Sequence, residues 1–165
     1  MARGDRTVIE VNPLIEGILA LLVDASTGTD LVGKVKEWER PKDGGQKFVS
    51  PPYVLVREYP SAGQMSGPLS DTKVDVILRV QILCLGRTPS EARTVRDWTR
   101  RFMQRNALEE KLDDMVDDND RAVMDLSLMV TGGGDTRDDD TPTPFHNSTD
   151  LYEVWTTPKT PEEGS

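Results

Sequence analysis

The chain has 165 residues, of which 29 are acidic and 20 basic, giving a net charge of −9, and 36% are hydrophobic. This length fits one domain around one core, and the acidity excludes binding nucleic acid through an overall cationic field. One cysteine, Cys84, excludes an intrachain disulfide framework and a thiolate metal cluster. No stretch approaches the roughly 18 apolar residues of a membrane span. No secretory leader is expected at the N-terminus, which fits a reducing cytoplasm.

The first clear pattern is V-I-E-V-N-P-L-I-E-G-I-L-A-L-L-V, in which Leu14, Ile15, Ile18, Leu19 and Leu22 recur at helical spacing. Asn12 suits an N-cap and Pro13 a first helical residue, so a helix is expected to run to about Asp24. Leu31 to Trp38 reads as a short strand. The prolines and glycines of residues 40–52 predict a loop. Tyr53 to Tyr59 is strand-like, and residues 60–72 read as a long connection. Lys73 to Leu85 is the clearest strand. There Val74, Val76, Leu78, Val80, Ile82 and Cys84 alternate with Asp75, Ile77, Arg79, Gln81 and Leu83, and the first set is expected to face the core.

Gly86 ends that strand and T-P-S-E opens a helix, with Thr88 as N-cap, Pro89 first and Glu91 placed for a capping box. Ala92, Val95, Trp98, Phe102 and Met103 make its buried stripe, and Arg93, Arg96, Arg100, Arg101 and Arg105 lie elsewhere on it. Residues 106–120 read as an acidic connection, Ala122 to Val130 as a strand, and residues 131–149 as a mobile loop. Leu151 to Thr156 forms a last short strand, giving a single domain over residues 1–157 and a flexible C-terminal tail over 158–165. The order α-β-β-β-α-β-β predicts an α+β fold: a mainly antiparallel four- to five-stranded sheet, helices packed on one face, and long loops.

Few residues offer chemistry. The single histidine, His146, falls in the predicted loop, and Cys84 lies mid-strand, a poor place for a nucleophile. Asp113, Asp114, Asp117, Asp118 and Asp120 could offer oxygen ligands to a divalent cation. They lack the central glycine and closing glutamate of an EF-hand loop. Asp138, Asp139 and Asp140 have no ligand spacing either. Gly132, Gly133 and Gly134 are followed by no G-K-S/T and no helix start, as a phosphate loop would require. No catalytic residue, metal or cofactor is therefore assigned. Arg93, Arg96 and Arg100, spaced i, i+3, i+7, share a helix face. They could pair within the chain, with a neighbouring copy's acidic loop, or with another acidic partner; charge asymmetry between surfaces suits a head-to-tail ring.

The segments P-Y-V-L-V-R-E-Y-P and G-P-L-S-D-T-K-V-D-V-I-L-R-V-Q-I-L-C-L-G-R-T-P-S-E-A-R-T-V-R-D-W resemble the tail terminator family of long-tailed bacteriophages. The shared pattern is an extended segment, a loop, a long strand ending in V-Q-I, and a short glycine turn into a helix opening T-P-S-E-A. The likeness spans about residues 8–157. The loops at 40–52 and 131–149 and the acidic stretch at 113–120 depart from it.

The resemblance implies a structural protein without turnover. It implies a homohexameric ring that caps the tail tube, stops tube-protein polymerisation and presents a docking face to the head-side connector, or neck, protein. DNA would pass through the lumen without specific binding, and no membrane is involved. The location implied is the tail end at the head-tail junction of a virion, after synthesis in the bacterial cytoplasm. In such a ring Arg93, Arg96 and Arg100 are candidates for the subunit interface. Asp113, Asp114, Asp117, Asp118 and Asp120 are candidates for a lumen or a partner-facing loop. The competing readings are another neck subunit, a monomeric interaction module, and a metal-dependent enzyme using the aspartates.

Overall fold

The structure, a computed structural model, describes residues 12–37, 51–59, 75–138 and 145–159. Its elements are α1 (Asn12–Ser26), β1 (Val35–Glu37), β2 (Tyr53–Glu58), β3 (Val76–Gly86), α2 (Pro89–Phe102), α3 (Arg105–Met115), β4 (Arg121–Asp138) and β5 (Phe145–Pro158). The strands form one mixed sheet in the order β1-β2-β3-β5-β4. β1 runs parallel to β2, and the remaining neighbours are antiparallel. The fold class is α+β as expected. The parallel β1–β2 pair makes the sheet mixed.

β3 is the centre of the sheet, and from Ile77 to Cys84 its alternation is as expected, while Val74 lies outside the described residues. Leu78, Val80, Ile82 and Cys84 are buried. Their register partners are buried too: Val54 and Val56 on β2, and Ser148, Asp150, Tyr152 and Val154 on β5. Cross-strand partners share a face, so one face of the sheet is closed. Residues from all three helices and all five strands join the one core cluster there, including Leu14, Ile18 and Leu22 of α1, Val95 of α2, and Leu108 and Leu112 of α3. The opposite face carries half-buried side chains, Leu55, Arg57, Ile77, Arg79, Gln81, Leu83 and Leu151, and no described helix covers it.

Three expectations need correction. The stretch 106–120 is not simply a connection, since α3 occupies Arg105–Met115. Leu108 and Leu112 stand one turn apart and are both buried, which stabilises a helix of otherwise charged sequence. Gly17 of α1 permits its close approach: a Cβ there would lie 2.8 Å from Leu112 Cδ2. Arg105, placed on the preceding helix from its sequence, opens α3 instead.

Second, residues 131–149 are mostly strand. β4 continues through the glycine triplet to Asp138 and β5 begins at Phe145, so the two make one long hairpin. His146 therefore stands in β5, opposite Gly86 and Arg137. β4 tolerates its glycines because it is an edge strand with register shifts at Val123/Asp125, Leu128/Val130 and Gly132/Thr136. Third, the last strand, expected over Leu151–Thr156, runs on to Pro158, with Thr157 and Pro158 paired to Ala122 and Arg121; of the tail expected over 158–165, residues 160–165 lie outside the described residues. The loops expected at 40–52 and 60–72 lie outside the described residues, apart from Pro51 and Pro52.

Candidate functional site

α2 begins where the sequence requires. The Thr88 Oγ1 accepts a hydrogen bond from the Glu91 N–H at 3.1 Å. The Glu91 carboxylate does not close the usual box onto Thr88. It accepts from the Arg87 N–H at 2.6 Å and from the Arg87 guanidinium at 2.7 and 3.1 Å. The Arg87 contacts hold the Glu91 carboxyl below the ordinary glutamate range. Gly86 is required at this corner: a Cβ there would stand 2.4 Å from the Ala92 nitrogen.

One flank of α2 meets β5 in a buried polar seam. Thr99, Ser148 and Asp150 are all fully buried. Arg100 donates from Nε to Asp150 Oδ2 at 2.7 Å and from Nη2 to Asp150 Oδ1 at 2.8 Å. This is a bidentate fork, the strongest form of such a pair. The same Nη2 reaches Thr131 Oγ1 on β4 at 2.8 Å. Arg96 donates from Nη1 to Ser148 Oγ at 3.3 Å. Thr99 Oγ1 donates to the Arg96 carbonyl at 2.7 Å and lies 3.9 Å from Cys84 Sγ.

The seam ties a helix to a hairpin and leaves little reactive. Burial pushes the Cys84 thiol up to about 12, so no thiolate nucleophile forms near neutral pH. Burial likewise pushes the Tyr152 phenol upward. Both Asp150 oxygens accept from Arg100, and the carboxylate is fully buried, so it is held as an ion pair. The arrangement stabilises a geometry: it fixes β4 and β5 against α2.

The three arginines singled out from the sequence therefore separate. Arg96 and Arg100 turn along the flank of α2 into the seam, while Arg93 is exposed. Pairing within the chain accounts for Arg96 and Arg100. The five aspartates separate as well. Asp113 and Asp114 end α3, whereas Asp117, Asp118 and Asp120 form the turn into β4. Asp113 accepts from Asn119 Nδ2 and Lys159 Nζ, each at 2.9 Å. These contacts hold its carboxyl below the ordinary range. Among the described residues, no group of three or more His, Cys, Asp or Glu side chains is placed to hold a metal ion. Asp138 lies in β4; Asp139 and Asp140 are outside the described residues.

Among the described residues, the surfaces open to a partner include the two edges of the sheet and its uncovered face. On the β4 edge Met124 is 48%, Leu128 41% and Met129 47% exposed. Met124 and Met129 are the extra residues of two bulges and have no register partner on β5. Trp155, next in from that edge, is 43% exposed on the uncovered face. On that face Arg57 Nε donates to Gln81 Oε1 at 2.6 Å, and Arg79 pairs with Glu153 at 3.4 Å. At the β1 edge Lys36 and Glu37 are exposed, and Val32 is exposed in the turn that precedes the strand. No described helix is long and apolar enough to cross a membrane.

Asp150, Ser148, Thr99 and the edge methionines were not identified from the sequence. Asp150 and Ser148 sat within or beside a stretch read as loop, and only Thr99, at helical spacing from Val95 and Phe102, carried a usable signal. Comparison of the chain with known protein families finds no family that matches, and comparison with curated proteins finds no relative.

Proposed function

We propose that the chain is a structural subunit of a bacteriophage virion: a tail terminator that assembles as a homohexameric ring and caps the tail tube. The observation that carries this reading is where the resembling residues fall. Tyr53–Tyr59 forms β2 and its end, the V-Q-I run lies inside β3, and T-P-S-E-A opens α2 across the tight Gly86 corner. The described parts of these segments build the middle of the sheet and the corner into α2, in the chain order the resemblance implies, and among the described elements α3 is the one addition. The seam supports the same reading, because its charged and hydroxyl groups bind each other and stiffen the frame.

In this reading one rim of the ring meets the tail tube protein and the other meets the head-side connector. Binding and geometry do the work. The protein resides at the head-tail junction of the virion. The direct test is polymerisation of the tube protein with and without the chain. Tubes that stop growing and keep a fixed length are the expected result, and tubes that lengthen unchanged refute a capping role.

DNA passes through the lumen in the same proposal. Asp114, Asp117, Asp118 and Asp120 are exposed. Facing the channel, they would repel phosphates and let DNA slide. Asp113 contributes less, since Lys159 already neutralises it. Exchanging the five aspartates for asparagine is expected to slow DNA ejection while assembly survives. Ejection at the wild-type rate in virions carrying that variant rejects this part.

A further inference from the structure

An open sheet has two edges, and unpaired edges invite strand addition. Here the two edges match each other. β1 and β4 are the outermost strands. Following the pairings across the sheet, β4 runs opposite to β1, so a copy placed side by side would bring them together antiparallel. β1 has three residues. On β4, the register shifts leave short regular stretches of comparable length, Arg121–Val123, Asp125–Leu128 and Val130–Gly132 among them, and the second carries Asp125.

The side chains at the edges are complementary. Lys36 follows buried Val35 and pairs in register with Leu55, so it stands on the uncovered face. Asp125 pairs in register with Trp155, whose neighbours Val154 and Thr156 are buried, so it stands on the same face at the opposite edge. Each edge also has apolar surface. Val32 lies in the turn that precedes β1, and Met124, Leu128 and Met129 lie on β4.

Register adds a geometric argument. The Lys36 row crosses β3 at Leu83, and the Asp125 row crosses it at Ile77, six residues away. Matching Lys36 to Asp125 of the next copy therefore staggers each five-stranded sheet by about 20 Å along the strands over about 24 Å of width. That slope is a strand tilt of about 40°, within the range at which tilted strands close into barrels.

We propose that β1 of one copy adds antiparallel to β4 of the next, with Lys36 beside Asp125, joining the sheets into a closed band. The proposal rests on the ring reading and names the contact that closes the ring. The contact is heterologous, with its two halves on opposite edges of one subunit, as a ring requires.

The test is sedimentation velocity across a concentration series, with and without tube ends, on wild type, Lys36→Glu, Asp125→Lys and the double variant. Each single variant places like charges together and is expected to raise the concentration for half-assembly by about tenfold. The double variant restores opposite charges and is expected to return close to wild type. A second measurement uses Lys36→Cys with Asp125→Cys under mild oxidation. The two positions lie on opposite edges, about 19 Å or more apart, so disulfides must form between copies. Cys84 is buried. A ladder of cross-linked species ending at a closed ring is expected. Wild-type rings with unaffected single variants and no ladder overturn the edge contact and leave the ring reading intact. A wild type that stays monomeric at every concentration and on tube ends overturns the ring reading, and this contact falls with it.

Discussion

Asp150 has no solvent exposure and gives both oxygens to Arg100, whose side chain is 31% exposed. The asymmetry predicts unequal costs for breaking the pair. Arg100→Ala strands a buried carboxylate and is expected to cost about 3 kcal/mol, the low end for a buried pair because Arg100 is partly screened. Asp150→Ala leaves an arginine that can swing into water, for about 1–2 kcal/mol. Arg100→Met with Asp150→Leu should recover part of the loss, since neither charge is then stranded. Urea unfolding of the four proteins checks the order; Asp150→Ala proving the costlier change would contradict it. None of this was legible in the sequence. The partners are 50 positions apart, and helical spacing puts Arg93, Arg96 and Arg100 on one face without saying that two of them turn inward.

α2 shows what local sequence does determine. Thr88, Pro89 and Glu91 specify its start within a few residues, and the structure uses all three. Thr88→Ala is expected to cost about 1 kcal/mol. Glu91 has a pKa depressed below its ordinary value of 4.5 by Arg87. Its stabilisation is therefore complete above about pH 4.5 and is lost as pH falls through the lower folded value. Glu91→Gln should flatten this part of the acid limb of the stability curve, measured by urea midpoints from pH 6 down to pH 2. An unchanged acid limb would show that the Arg87 contact contributes nothing. α3 was hidden by its own charge: R-N-A-L-E-E-K-L-D-D reads as solvated, and only the Leu108–Leu112 step marks a buried stripe. The first half of β4 was legible as Ala122–Val130, and its continuation to Asp138 was hidden by glycines that belong to an edge strand and not to a loop.

At the scale of the whole molecule, the strong period-two alternation of β3 made an α+β sheet readable, because a central strand buries one full face. The parallel β1–β2 pair was not readable. β1 is three residues long, too short to carry a period, and its direction depends on where the chain re-enters the sheet. In the proposed reading, function at this scale lies in surfaces: the two sheet edges and the uncovered face, carried on a frame that the seam ties together. The most direct measurement is negative-stain electron microscopy of the purified protein across a concentration series, alone and with tube protein. The account predicts six-fold rings with an open centre, free at high concentration or seated on tube ends. Compact single particles under every condition, with tube ends left bare, would contradict it.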